Sequence, residues 1–312
     1  MIMRSFFQGK GKAVLRIVLG GGVFLLVLEI ALRWIWGFGN MPLYYSDSRY
    51  EYAPCPNQKM TRLGNEIYYN SYSQRSDEPD TTKTIVLGLG DSVLNGGVQT
   101  PQDSLATTMF SRIKGFQMLN VSVGSWGPDN IAAYLKAKGT FRAKALFVLL
   151  SSHDAHDLMD FRPIVGEYPS YPDRQYPCAI VEVICRYAWP RLMSHFKNER
   201  PDPDQQVVNQ IHGIRKGYGA LNPGFNQLKR IADSINVPFI LCLHAESSEC
   251  RIGRYNEQGQ EIINWAKKNK VYIIEDIHMM DGDCYRDEIH INAKGQRRLF
   301  QIMKQTLLPL FD

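Results

Sequence analysis

The chain has 312 residues, of which 44% are hydrophobic and 21% are charged, so it is long and apolar enough to bury a sizeable core. This composition excludes a chain that is disordered as a whole. The net charge is only +5, and the Lys-Arg pairs fall in helix-like segments, so no nucleic-acid partner is expected.

The first forty residues (1–40) differ from everything that follows. An apolar run over Ile17–Leu28 continues over Ile30–Trp36 after the single acidic residue Glu29, and basic residues precede it: Arg4, Lys10, Lys12 and Arg16. The length suits a membrane-spanning helix, and no small-x-small cleavage site follows, so an anchor is favoured over a cleaved signal segment. The basic flank predicts that the later chain faces the periplasm or the cell exterior.

Residues 41–83 are rich in Tyr, Asn, Ser, Asp and Pro and show little periodicity. We expect an irregular lead-in that packs on the following domain through its tyrosines.

From residue 84 onward, short apolar runs alternate with helical patterns, which predicts an α/β domain over 84–312. The expected architecture has three layers: a mostly parallel sheet, flavodoxin-like, with helices on both faces, preceded by the N-terminal membrane helix. The predicted strands are Thr84–Leu89, Phe116–Val123, Ala145–Leu150, Pro238–Leu243 and Val271–Glu275, and the predicted helices are Ser104–Lys114, Ile131–Lys138, Asn256–Lys268 and Ala293–Leu308.

Prolines recur between residues 161 and 203, where the alternation fails, so this stretch is interpreted as an insertion that forms a lid or rim. The six cysteines suit an oxidising compartment, and Cys178 and Cys185 are close enough in sequence either to bridge or to remain thiols. No Cys-x-x-Cys pair occurs, so no metal site and no cofactor are expected.

The strongest local motif is Gly-Asp-Ser at 90–92, directly after the first predicted strand of the domain. A dinucleotide loop would need a glycine at Val93, and no Lys-Ser/Thr pair makes the segment a P-loop. A serine between a strand end and a helix start is well placed as a nucleophile, because the helix N-terminus favours a developing negative charge.

A second motif lies near the end of the chain, where Asp287 precedes His290 by three residues. A carboxylate at this spacing can bond the imidazole Nδ1 and leave Nε2 to accept a serine proton. Together the two motifs predict a triad of Ser92, His290 and Asp287.

With these motifs the chain resembles the SGNH/GDSL hydrolase superfamily from about Thr84 to its end. The resemblance implies an oxyanion hole made by the Ser92 N–H, a glycine position that falls on Ser125 with Gly124 beside it, and a third block. In that block the family has Gly-x-Asn-Asp, whereas this chain has Ser-Ser-His-Asp at 151–154. His153 then either donates in place of the asparagine or is a structural histidine. Asn95 and Asp154 are candidate substrate contacts. His244 follows a predicted strand, so it either contacts substrate or is a packed strand-end histidine.

An anchored, exported domain of this kind resembles membrane-tethered proteins that acylate or deacylate surface polysaccharides. The resemblance implies an esterase or O-acetyltransferase acting on an acylated glycan, with a multi-pass membrane acyltransferase as partner. The alternative is a catalytically weak, carbohydrate-binding scaffold of an export complex, which the substituted His153 favours and the intact triad opposes.

Overall fold

The computed structural model describes residues 2–196 and 220–311. Within these residues the chain divides into two compact units. The first contains residues 1–41, 61–64 and 174–200, and the second contains residues 42–60, 65–173 and 201–312.

The second unit is built on a five-stranded sheet. Its strands are β5 (Thr84–Gly90), β6 (Phe116–Ser122), β7 (Ala145–Ser151), β8 (Phe239–His244) and β9 (Tyr272–Glu275), in the order β6-β5-β7-β8-β9. Every neighbouring pair in this sheet is parallel. The order corresponds to 2-1-3-4-5, the flavodoxin-like arrangement, in which ligands bind outside the carboxyl ends of the strands. All five strands were predicted, each within one or two residues of its observed ends.

Helices cover both faces of the sheet, which confirms the predicted three-layer α/β class. Alternate residues of β5 point to opposite cores: Leu87 and Leu89 join one, and Val86 joins the other. The first core is closed by α4 (Pro128–Lys138), α7 (Gly224–Ser234) and α9 (Glu257–Lys268), and the second by α2 (Ser92–Asn95), α3 (Ala106–Ser111) and α10 (Ala293–Leu307). A further helix, α8 (Ser247–Ile252), follows β8.

The predicted lead-in is more regular than its sequence suggested. It contains four short strands, paired as two-stranded sheets: β1 (Tyr44–Asp47), β2 (Glu51–Pro54), β3 (Gln58–Arg62) and β4 (Asn65–Tyr69). Buried aromatic residues give the segment its packing, since Tyr50 and Tyr52 belong to the first core of the sheet. Runs of four or five residues are too short to show a clear alternation, which is why the strands were not predicted.

The first unit contains α1 (Ile2–Trp36) and the helical part of the insertion. Residues Val14–Trp36 of α1 are long and apolar enough to span a membrane, and none of them is buried, as in a single-pass anchor or a signal sequence. Three consecutive helical segments follow in this unit: α5 (Ala179–Val183), a π-helical turn (Ile184–Ala188) and α6 (Trp189–Phe196). The insertion predicted at 161–203 is thus divided, because residues 161–173 belong to the second unit, and its last residues lie outside the described chain.

All six cysteines are free thiols, so Cys178 and Cys185 do not bridge.

Candidate active site

Ser92 stands at the first position of α2, directly after β5. Asp91 caps this short helix, since its Oδ1 accepts a hydrogen bond from the Val93 N–H at 2.8 Å. The turn brings the backbone against the neighbouring strand: a Cβ on Gly90 would lie 2.7 Å from the Leu149 carbonyl oxygen. Glycine at this position therefore allows the close approach that presents the serine at the strand end.

Ser92, His290 and Asp287 form one chain of hydrogen bonds. His290 Nε2 lies 2.9 Å from Ser92 Oγ, and His290 Nδ1 lies 2.9 Å from both carboxylate oxygens of Asp287. An ionised carboxylate only accepts, so Nδ1 carries the proton and Nε2 is left to accept from the serine hydroxyl. The structure thus brings together the three side chains that the two sequence motifs predicted.

The Asp287 carboxylate is held in its ionised form. Partial burial acts to raise its pKa, but the side-chain hydrogen bond and charge of His290 and the backbone N–H groups of His290 and Ile289 outweigh burial and lower the pKa to about 2. The two backbone bonds, to Asp287 Oδ1, measure 2.7 Å from His290 and 3.1 Å from Ile289. The local turn therefore orients the carboxylate as well as the ring.

A buried His244–Asp276 pair lies directly beneath the histidine loop. His244 Nδ1 lies 2.6 Å from Asp276 Oδ2, and His244 Nε2 lies 3.0 Å from the carbonyl oxygen of Ile289, the residue before His290. Burial acts to lower the pKa of His244, but the charge and hydrogen bond of Asp276 raise it above its usual value. His244 and Asp276 are both fully buried, which favours the alternative of a packed strand-end histidine, and the ring supports the loop.

A buried arginine holds the loop that follows the nucleophile. The Arg75 guanidinium is fully buried and has no carboxylate partner among the described residues. It donates to the carbonyl oxygens of Asn95, Gly97 and Thr100 and to the side chain of Gln102. Burial lowers the pKa of Arg75. These carbonyls are therefore satisfied by a cation rather than by secondary structure.

Asn95 strengthens the same loop from its other side. Its amide nitrogen donates to the Ser122 carbonyl oxygen at the end of β6, at 2.8 Å, and the side chain is 5% exposed. The Asn95 side chain thus joins α2 to β6, and its contact with substrate stays a prediction.

Gly124 and Ser125 border the nucleophile, as the resemblance implied. A Cβ on Gly124 would lie 3.9 Å from Ser92 Cβ and 3.3 Å from the Tyr171 hydroxyl. The Tyr52 hydroxyl donates to the Gly124 carbonyl oxygen at 2.9 Å, and the Tyr171 hydroxyl donates to Ser125 Oγ at 2.9 Å. Because a trans peptide directs its C=O and N–H oppositely, the bond from Tyr52 also fixes the direction of the Ser125 N–H.

His153 lies among three carboxylates next to the nucleophile turn. Its Nδ1 is 3.3 Å from Glu246 Oε1, and its Nε2 is 3.8 Å from Asp91 Oδ2 and 3.9 Å from Asp154 Oδ1. Burial acts to lower the pKa of His153, but the charges of Asp154, Asp91 and Glu246 and the Glu246 hydrogen bond raise it well above its usual value. The three carboxylates therefore favour the protonated form of the ring, in which both ring nitrogens are N–H donors.

Asp154 is fully buried, and its contact with substrate stays a prediction. Its Oδ2 accepts from the Ser151 N–H at 2.7 Å, while Oδ1 makes no hydrogen bond within the described chain. Burial raises the pKa of Asp154 well above its usual value, although the charge of His153 opposes this. Among the described residues, Asp91, His153 and Asp154 form a group with metal-ligand spacing.

Several residues of the site carry no sequence motif: Tyr52, Arg75, Tyr171, Glu246 and Asp276. Their partners lie far along the chain, and only the fold brings them together. Arg75 is the one for which a signal existed, since a lone arginine followed a tyrosine-rich stretch that was expected to pack on the domain.

No protein-family model and no curated protein matches the chain. Three of the solved structures that match are a lipolytic protein of the G-D-S-L family from Veillonella parvula, the carbohydrate acetylesterase Est24 from Sinorhizobium meliloti and a GDSL-like lipase from Bacteroides thetaiotaomicron. Their identities are 10%, 13% and 11%, and their TM-scores are 0.40, 0.44 and 0.39. The matches cover 72%, 73% and 75% of this chain and 97%, 100% and 93% of those chains, respectively.

Likenesses at these identities and scores assign no activity to this chain. The sheet order, the strand-end Ser92 and its hydrogen-bonded partner His290 themselves define an α/β fold of the SGNH/GDSL type, as the sequence resemblance implied.

Proposed function

We propose that the chain is a serine-dependent esterase or acyltransferase. One observation carries this proposal: Ser92 Oγ, the His290 ring and the Asp287 carboxylate form a continuous hydrogen-bonded chain at the carboxyl end of β5. His290 would remove the Ser92 proton as the hydroxyl attacks an ester carbonyl, and would then protonate the leaving alcohol. Water as the second acceptor gives hydrolysis, and a sugar hydroxyl gives transfer.

The oxyanion would be held by backbone and side-chain donors around Ser92. The Ser92 N–H belongs to the first turn of α2, where backbone donors lack partners within the helix. The Gly124 and Ser125 backbone lies beside it, and His153 would supply the donor that asparagine supplies in the resembled family. In support of this role, His153 Nε2 makes no hydrogen bond within the described chain.

The substrate class follows from the resemblance and from α1. The substrate would be an acyl group, with acetyl as the first candidate, on an exported polysaccharide. The site would lie on the periplasmic or outer side of the membrane, anchored by the single N-terminal helix. A multi-pass membrane acyltransferase is the partner that such a protein would need if the reaction is a transfer.

The decisive experiment measures acetate release from aryl acetates and from acetylated glycans by the full-length protein. Ser92→Ala should remove activity to at least about 10⁴-fold below wild type, because no other group in the proposed mechanism forms the acyl intermediate. Ser104→Ala is the matched control, since this serine lies outside the triad and bonds Asp103 at the surface.

A second arm adds a deacetylated glycan and follows its acetylation, which separates transfer from hydrolysis. If wild type and Ser92→Ala are equally inactive on all esters while both bind glycan, the chain is instead the carbohydrate-binding scaffold.

A further inference from the structure

The insertion helices of the first unit begin against the apolar helix α1. The Glu29 carboxylate accepts hydrogen bonds from the backbone N–H groups of Ala179 and Ile180, at 2.8 and 2.9 Å. These N–H groups form the first turn of α5, where a carboxylate caps the helix and complements its dipole. Arg33, one turn further along α1, donates to the same carboxylate. The start of α5 is thus fixed to α1 at the level of Glu29.

Glu29 lies well inside the apolar span rather than at its end. It precedes Trp36, the last residue of the candidate span Val14–Trp36, by seven residues. At about 1.5 Å per helical residue, the cap lies about 10 Å below the end of the span. If α1 crosses the membrane, the first turn of α5 therefore lies below the membrane surface.

The same helical segments expose an apolar face. Six apolar residues recur at helical spacing on one side and are solvent-exposed: Ile184, Cys185, Ala188, Trp189, Leu192 and Met193. Their spacing of i, i+4 and i+8 places them on one stripe. Trp189 is 57% exposed and Leu192 is 50% exposed, which is unusual for side chains of this size in water.

The opposite side of the segment is fixed within the first unit. Glu182 is fully buried and pairs with the buried guanidinium of Arg62, which also donates to the Gly37 carbonyl oxygen at 3.0 Å. The Arg62 cation lies 4.7 Å from the centre of the Phe38 ring. Because these groups lock Glu182 inward, the apolar stripe cannot turn inward to bury itself.

We propose that residues 179–193 form a second membrane contact, with the apolar stripe buried in the lipid leaflet on the side of the catalytic unit. The proposal rests on the proposed membrane anchor. A helix of this kind buries its apolar face about 5–10 Å into the boundary between headgroups and acyl chains, which agrees with the level of the Glu29 cap. The occupant of the stripe is lipid, because the cap itself places the segment at lipid depth.

The test uses the full chain in lipid nanodiscs that contain no other protein. Cys55→Ser, Cys178→Ser and Cys250→Ser remove the partly exposed thiols, so a bimane probe labels Cys185 on the stripe. Two control probes replace it in a Cys185→Ser background. Leu26→Cys reports on α1, and Ile252→Cys, where the native side chain is 66% exposed, reports on the surface of the second unit.

A lipid spin-labelled near its headgroup should lower the Cys185 probe emission about threefold and leave the Ile252→Cys probe unchanged, whereas aqueous iodide should do the reverse. If iodide quenches the Cys185 and Ile252→Cys probes equally, while lipid quenches the Leu26→Cys probe, the second contact is overturned and the anchor stands. A Leu26→Cys probe, at the middle of the span, that is not quenched by a lipid spin-labelled deep in its acyl chain would overturn both. Esterase activity, measured separately, shows whether the proposed chemistry stands in either case.

Discussion

Ser92 and His290 meet across 2.9 Å, yet the segments that carry them are held by different means. The nucleophile turn is surrounded by buried polar groups, chiefly Arg75 and Asn95, whose bonds reach residues far away in the sequence. The histidine loop is half exposed, and the bonds that orient its catalytic groups join Asp287 to residues two and three positions further on. From the rest of the domain, the loop is supported by the His244–Asp276 pair and by the Ser247 N–H, which donates to the Glu288 carbonyl oxygen at 2.8 Å.

The difference indicates how function and stability are divided in the site. On the nucleophile side the polar groups belong to the folded core, so their loss unfolds the chain. On the histidine side the Asp287 carboxylate bonds residues close to it in the sequence and is partly exposed. Its loss should therefore lower the activity while the fold is retained. Three substitutions test this division.

The largest expected effect is on the histidine side. In Asp287→Asn the amide cannot serve as an ionised acceptor for Nδ1–H, so the ring loses its tautomer and kcat on an aryl acetate should fall about 10³–10⁴-fold. Since the Asp287 side chain is 40% exposed, the melting temperature should change little. Asp283→Asn, at a carboxylate that is 90% exposed, is the matched control and should leave both unchanged. A large drop in melting temperature would contradict the division.

On the nucleophile side, Arg75→Met should act mainly on stability. It leaves three loop carbonyls buried without a donor, and at about 1–3 kcal/mol each the free energy of unfolding should fall by at least about 3 kcal/mol. Urea denaturation measures the change, and Arg112→Met, at an exposed arginine after α3, is the control. If Arg75→Met and Arg112→Met lower the free energy of unfolding by the same amount, the Arg75 guanidinium does not stabilise the nucleophile loop.

The smallest effect concerns the buried pair and depends on pH. The pKa of His244 is raised in the folded chain, so the stabilisation from the charged pair is fully present below the unfolded pKa of about 6.5 and is lost as the pH rises through the folded value. Asp276→Asn should therefore lower the free energy of unfolding by about 1–2 kcal/mol at pH 6 and by less at pH 9. Glu257→Gln, at an exposed glutamate, should show no such trend. A difference that grows with pH would exclude a charged pair.

The sequence was sufficient for features that depend on neighbouring residues. The five sheet strands appear as short, mainly apolar runs, and Asp287 and His290 meet within one turn, so both were predictable. The partners of His244 and Asn95 were not predicted, because the end of a strand or the start of a helix predicts where a side chain lies but not which group it bonds. Asp276 follows a different strand from His244, so the spacing of the two residues in the sequence does not predict that they form a pair.

The hydrogen bonds of Arg75 also determine the order in which parts of the chain can fold. A guanidinium cannot enter the core ahead of its acceptors, because a buried cation without partners is strongly unfavourable. Its acceptors lie between Asn95 and Thr100, and its own backbone N–H bonds the Asn120 carbonyl oxygen in β6. The nucleophile turn therefore reaches its final shape only when the segment before the sheet, β6 and the loop after Ser92 come together. A partly folded chain would carry every residue of the triad and still lack a working nucleophile.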